Sequence, residues 1–213
     1  MILYTLKDNG YININQLESL KGVNVYVNMT NKCPCSCTFC LRQTKKMIES
    51  NTLWLKKEPS VEEILNEFDL YNLDDFHEVI FCGFGEPFER LYDILEIATI
   101  LKEKKKDLSI RVNTNGLGNL LYDKDITPLL KDKIDTISIS LNAPNKDEYL
   151  ELTRSRFGIQ SFDAMLDFSK KCKDYVPHVI LTVVDIIGEK KISQCQKICD
   201  EIGVTLRVRP FEE

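Results

Sequence analysis

Ten residues near the amino-terminal end concentrate most of the reactive side chains. The segment Asn31-Lys32-Cys33-Pro34-Cys35-Ser36-Cys37-Thr38-Phe39-Cys40 holds four of the eight cysteines, and the others are Cys82, Cys172, Cys195 and Cys199. A secreted disulfide framework would spread its cysteines along the chain, so this clustering points to metal or redox chemistry in a reducing compartment. Cys33, Cys37 and Cys40 form a C-x3-C-x2-C pattern with the aromatic Phe39 before the last cysteine. A short loop can bring thiolates to a four-iron cluster from one side, and three thiolates leave one iron open to an exogenous ligand. Spacing alone keeps two alternatives open. One is structural zinc, which usually takes two cysteine pairs far apart in sequence; the other is an electron-carrier cluster with Cys35 as fourth ligand. Cys35 is otherwise expected to be a bystander, or a surrogate ligand when the exogenous one is absent.

The remaining candidates are weaker. Cys195 and Cys199 are four apart, on the same apolar stripe as Ile192 and Ile202. Core packing is the expectation for them, with no auxiliary cluster. Cys82, in an apolar strand before a glycine-rich turn, reads as a packed thiol. His77 and His178 sit in no metal-like spacing and read as hydrogen-bonded structural residues. Arg111, Arg207 and Arg209 could converge on a cavity and bind carboxylate or phosphate, or make salt bridges at strand ends. Arg154 and Arg156 lie in an expected loop and could cap the site.

These residues must be positioned by alternating strands and helices. Strands are expected at Val23–Asn28, Glu78–Cys82, Ser109–Asn113, Thr136–Leu141, Val179–Val184 and Thr205–Arg209. Between them lie a capping box, Ser60-Val61-Glu62-Glu63, followed by Ile64, Leu65 and Phe68 at helical spacing, and a stripe of Leu91, Ile94, Leu95, Ala98 and Leu101. A third stripe joins Phe162, Met165 and Leu166. Repeated βα units imply a parallel sheet. Four of the six strands alternate polar and apolar residues: Asn24/Tyr26/Asn28, Arg111/Asn113/Asn115, Thr136/Ser138/Ser140/Asn142 and Thr205/Arg207/Arg209. Period two puts each set on one face, as a polar concave face would require. A closed eight-stranded barrel takes about 250 residues, so 213 residues predict an α/β fold of partial (β/α)6 TIM-type barrel form with parallel strands. Lys7-Asp8-Asn9-Gly10 predicts the turn of a small N-terminal β-hairpin. The expected division is a hairpin extension over 1–20 and a barrel domain over 21–213.

Composition is that of an ordinary globular chain: 43% apolar, 29% charged and a net charge of −5. Disorder and a nucleic-acid backbone as main partner are therefore disfavoured. No apolar run approaches a membrane span, and the first residues lack the features of a signal peptide, so a cytoplasmic location without membrane partners is expected.

The cysteine loop after the first parallel strand resembles the hallmark of the radical SAM superfamily, and the likeness runs through most of the chain. Phe81-Cys82-Gly83-Phe84-Gly85-Glu86-Pro87 stands where that superfamily carries Gly-Gly-Glu-Pro, with Phe84 departing from the first glycine. Thr114-Asn115-Gly116 and Ser138-Ile139-Ser140-Leu141-Asn142-Ala143 resemble its third- and fourth-strand motifs. Together with Leu53-Trp54-Leu55 and Arg207-Val208-Arg209, the text looks like the TatD-associated subgroup.

The resemblance implies a [4Fe–4S] cluster on Cys33, Cys37 and Cys40, with S-adenosyl-L-methionine (SAM) on its open iron. It implies backbone at Gly83, Gly85 and Glu86 for the methionyl amine, Phe39 against the adenine, and Ser140 and Asn142 for ribose or methionyl groups. Asn113, Asn115 and Arg209 complete the implied SAM contacts. The implied reaction is reductive cleavage of SAM to a 5′-deoxyadenosyl radical, which abstracts hydrogen from a small anionic or base-like substrate. An external electron donor such as flavodoxin or ferredoxin is implied, and a homodimer or partner protein is expected over the open barrel edge. The alternatives are an activating enzyme that installs a radical on a partner protein and a non-catalytic iron–sulfur carrier. Catalytic side chains are not identified.

Overall fold

A computed structural model describes residues 1–7, 10–44 and 52–211, with only the backbone described at 43 and 44. The chain divides into two compact units. One is drawn from Met1–Lys32, Met47–Val112 and Lys133–Asp135, the other from Cys33–Lys46, Asn113–Asp132 and Thr136–Glu213. The strands lie in one sheet in the order β2-β1-β3-β4-β5-β6-β7-β8.

In the first unit, β1 (Leu3–Lys7) and β2 (Gly10–Asn13) form an antiparallel hairpin closed by the Lys7–Gly10 pair. The predicted turn residues Asp8 and Asn9 lie outside the described residues. β1 also pairs antiparallel with β3 (Val23–Val27), which starts the parallel series with β4 (Phe76–Phe81) and β5 (Ile110–Thr114). Tyr4 stacks on Tyr26 at 5.1 Å and meets Tyr11 edge-on at 5.6 Å, which fastens the hairpin to the sheet.

Helix α1 (Leu41–Thr44) follows the cysteine loop in the second unit, whereas α2 (Val61–Phe68) and α3 (Leu91–Lys104) belong to the first. The predicted capping box begins α2: the Ser60 hydroxyl accepts from the Glu63 N–H at 3.0 Å, and the Glu63 carboxylate accepts from the Ser60 N–H at 2.7 Å. Ile64 and Phe68 are buried on its inner face. On α3 the buried set Leu91, Ile94, Leu95, Ile97, Ala98 and Leu101 reproduces the expected stripe and adds Ile97.

The second unit carries β6 (Thr136–Ser140), β7 (His178–Val184) and β8 (Thr205–Arg209), paired parallel in that order. Helix α4 (Gly118–Tyr122) precedes β6, and α5 (Lys146–Thr153), α6 (Ser161–Cys172) and α7 (Glu189–Ile202) connect the three strands. Cys195, Cys199 and Ile202 are buried on α7, which ends at Gly203 with φ near 75°, a left-handed position suited to glycine. These parallel strands, ordered as in the sequence with helices between them, are the α/β arrangement predicted.

Candidate functional site

The cysteine loop belongs to the second unit and is held by a helix end. The last carbonyls of a helix have no partner within it and must find donors elsewhere. At the end of α5, Leu152 accepts from the Thr38 N–H and Thr153 from the Ser36 N–H, both at 2.9 Å; Arg156 N–H donates back to the Pro34 carbonyl at 2.9 Å. Arg154 turns the chain out of the helix in the left-handed region, with φ near 47°. The predicted loop carrying Arg154 and Arg156 begins where α5 ends, and both side chains are exposed there, with the Arg156 guanidinium 4.9 Å from the Phe157 ring.

Cys33, Cys37, Phe39 and Cys40 are half-buried, while Cys35 is buried at 5% exposure. The Cys35 thiol is in hydrogen-bond contact with the sulfurs of Cys33 and Cys37, contacts that push its own pKa up and hold Cys37 below the ordinary thiol value. Asn115 Nδ2 lies 3.8 Å from Cys35 Sγ. Arg42 donates to Cys40, and its positive charge also acts on Cys33 and Cys37. Among the described residues, no three His, Cys, Asp or Glu side chains form a ready chelate for one ion. Thiolates of a four-iron cluster bind separate irons, and three thiols carried by one short loop are a donor set that such a cluster takes.

In the same unit, which takes the last two residues of β5, Asn113 on that strand, Asn142 after β6 and Arg209 on β8 each carry a buried polar atom without a partner: Asn113 Oδ1, Asn142 Oδ1 and Arg209 Nε. A buried polar atom left unpaired costs about 1–3 kcal/mol, so these side chains suit a polar ligand. Asn142 is only 5% exposed and adopts φ near 61°, a conformation that Asn tolerates better than most residues. Ser140 is half-buried, with Thr182 as its pairing neighbour. Asn115 Oδ1 accepts from the Leu117 N–H at 2.9 Å, and Gly116 has φ near 76°, where a Cβ would meet Ile139 and Met165 at under 3 Å. The turn therefore requires glycine.

The first unit holds the glycine motif. A Cβ at Gly85 would lie 2.3 Å from the Thr30 carbonyl oxygen and 2.6 Å from that of Lys32, and one at Gly83 would lie 2.1 Å from Asn28 Oδ1. Glu86 N–H donates to the Lys32 carbonyl at 2.7 Å, and the buried Glu86 carboxylate accepts from Phe88 N–H at 3.1 Å. Lys32 is the residue before Cys33 in the sequence. Phe84 is half-buried, and its ring stands 6.4 Å from that of Trp54, which is 52% exposed.

The polar strand faces are partly committed elsewhere. Arg111 is paired with the buried carboxylate of Glu78 and does not stand free to meet an anion. Arg207 is exposed, as are both histidines. Cys82 is half-buried rather than packed in the core, and its carbonyl accepts from the Tyr4 hydroxyl at 3.2 Å.

Sequence reasoning missed the supports of the site. Asn31 mimics a strand by bonding both ways with the Leu55 backbone, at 2.7 and 3.1 Å, and Arg90 ties the Met29 and Pro59 carbonyls together. It also missed α5, although Asn145 and Glu148 are spaced as a helix start. Asn145 Oδ1 accepts from Glu148 N–H at 3.0 Å.

Comparison with known proteins places these residues in context. The Radical SAM superfamily matches residues 27–195. A probable GTP 3′,8-cyclase of Thermococcus kodakarensis is 26% identical over 89% of this chain and 57% of its own length. A GTP 3′,8-cyclase of Corynebacterium glutamicum is 27% identical over 85% of this chain and 47% of its own. Among solved structures, Streptococcus suis SuiB bound to its precursor peptide SuiA aligns with a TM-score of 0.64 at 16% identity, covering 90% of this chain and 40% of SuiB. The chain thus spans about half the length of the curated relatives it matches.

Proposed function

The chain belongs to the radical SAM superfamily, whose cofactors are a [4Fe–4S] cluster and SAM, and on that premise we propose that it is an enzyme abstracting hydrogen from a small anionic or base-like substrate. Together the two cofactors supply, when bound, a 5′-deoxyadenosyl radical.

Cys33, Cys37 and Cys40 hold the cluster in this reading. Backbone at Gly83, Gly85 and Glu86 receives the methionyl amine, because the absence of side chains at both glycines lets a ligand approach the chain closely. Phe39 lies against the adenine. Ser140, Asn142, Asn113 and Asn115 supply polar contacts to ribose and methionyl groups, and Arg209 pairs with a carboxylate. The single observation that carries the reading is the C-x3-C-x2-C loop with its backbone pinned to the end of α5 by three hydrogen bonds, which presents the thiols on an ordered support before any cofactor arrives.

An external one-electron donor of the flavodoxin or ferredoxin kind completes the reaction. The relatives named as GTP 3′,8-cyclases support an anionic, base-bearing substrate class, and Leu53-Trp54-Leu55 with Arg207-Val208-Arg209 supports membership of the TatD-associated subgroup. No described helix is long and apolar enough to cross a membrane. The test is anaerobic reconstitution with iron and sulfide, reduction with a strong reductant, and detection of 5′-deoxyadenosine by mass. Formation that is lost in Cys37→Ala supports the reading. A full iron complement without cleavage of SAM overturns it in favour of an electron carrier.

A further inference from the structure

We infer that Cys35 is a fourth thiol of the cluster site, holding the open coordination position while SAM is absent and giving it up when SAM binds. The inference rests on the proposed cluster reading and assigns a role to a residue which that reading leaves idle.

Four observations carry it. Cys35 is the most deeply buried of the four loop cysteines, although a bystander between ligands would be free to face solvent. Its thiol is in hydrogen-bond contact with both Cys33 and Cys37, so it stands with these two proposed ligands. The backbone on either side is fixed as well, through Pro34 to Arg156 N–H and through Ser36 to Thr153, at 2.9 Å each. Asn115 Nδ2, at 3.8 Å from Cys35 Sγ, holds the same sulfur from the end of β5.

The exchange needs no oxidant or reductant. When the thiol binds iron, its proton passes to water. When SAM binds, the iron–sulfur bond to Cys35 breaks, bonds from iron to the amino nitrogen and carboxylate oxygen of SAM form, and the thiolate regains a proton from water. Cys35 then returns to the hydrogen-bonded position beside Cys33 and Cys37.

The test compares full-length wild type with Cys35→Ala and Cys35→Ser, each reconstituted anaerobically, using electron paramagnetic resonance of the reduced cluster with and without SAM. A ferricyanide titration without SAM runs in parallel. Expected without SAM are distinct spectra for wild type and Cys35→Ala, with several-fold more three-iron cluster from the alanine variant, because its open iron is unprotected. With SAM added, the two spectra converge. Identical SAM-free spectra and equal three-iron yields would overturn the inference. So would a wild-type spectrum indifferent to SAM, which would make Cys35 a permanent ligand. If the alanine variant holds no cluster, the serine variant decides: an altered SAM-free spectrum that converges on wild type with SAM supports the exchange, and complete loss of the cluster in both rejects it. The cluster reading fails separately, if Cys37→Ala retains full iron.

Discussion

At Gly85 the chain has no room for even a methyl group, because the Thr30 and Lys32 carbonyls approach from the neighbouring strand exit. Gly85→Ala is expected to push Lys32 away and loosen the bond from Glu86, at a cost of about 1–3 kcal/mol. Cys33 follows directly, so iron bound after reconstitution should fall along with the melting temperature. Unchanged iron and an unchanged melt would show that the close approach is not needed. Cys199 is the contrasting case. Burial pushes its thiol up to about 12 and that of Cys195 up to about 11, and both are shielded on the inner face of α7. Neither should react with iodoacetamide in the folded chain at neutral pH, as peptide mass mapping would show. Cys199→Ser should destabilise by about 1–3 kcal/mol through a buried hydroxyl, with iron content unchanged. The loop thiols and the glycine motif were legible in the sequence because their spacing is local. The pairing of Arg111 with Glu78 was not, since it depends on which residues face each other across two strands.

Among the elements, α2 shows a start signal that translates directly into structure. Ser60→Ala removes an acceptor for one of the free amides of that helix and is expected to cost about 1 kcal/mol, or about 2–4 °C in melting temperature for a chain of this size. An unchanged melt would mean that tertiary packing alone holds the helix. The Ser60 N–H, aided by Lys57, holds the Glu63 carboxylate below its ordinary value of 4.5. A depressed acid contributes stability that is full above its unfolded value and lost as pH falls through the folded one. The wild type's advantage over Glu63→Gln should therefore be present above about pH 4.5 and disappear below it, as paired melts across pH 2–6 would show. Helix α5 was harder to read. Tyr149 and Thr153 are its buried residues, while Lys146, Asp147 and Glu151 are exposed, so the apolar stripe that revealed α3 is missing. The six parallel strands were legible because β-branched and apolar runs recur between helical stripes.

For the molecule as a whole, the buried apolar side chains come from strands and helices on both sides of the cysteine loop, and the loop adds little to them. Removing the cluster by chelation under oxidising conditions should abolish its visible absorption and leave far-ultraviolet circular dichroism and a cooperative melt in place. An unfolded cluster-free chain would contradict this. The hydrogen bonds that hold the loop at Ser36 and Thr38 reach residues 152 and 153, far along the chain. At about 5–20 residues per second, the four thiols leave the ribosome on the order of ten seconds before the end of α5 exists to receive them. During that interval the nascent chain carries bare cysteines with no ordered backbone beneath them. Until then the growing chain has no ordered loop to present to iron and sulfide, so the support for the thiols is complete only once the end of α5 has emerged.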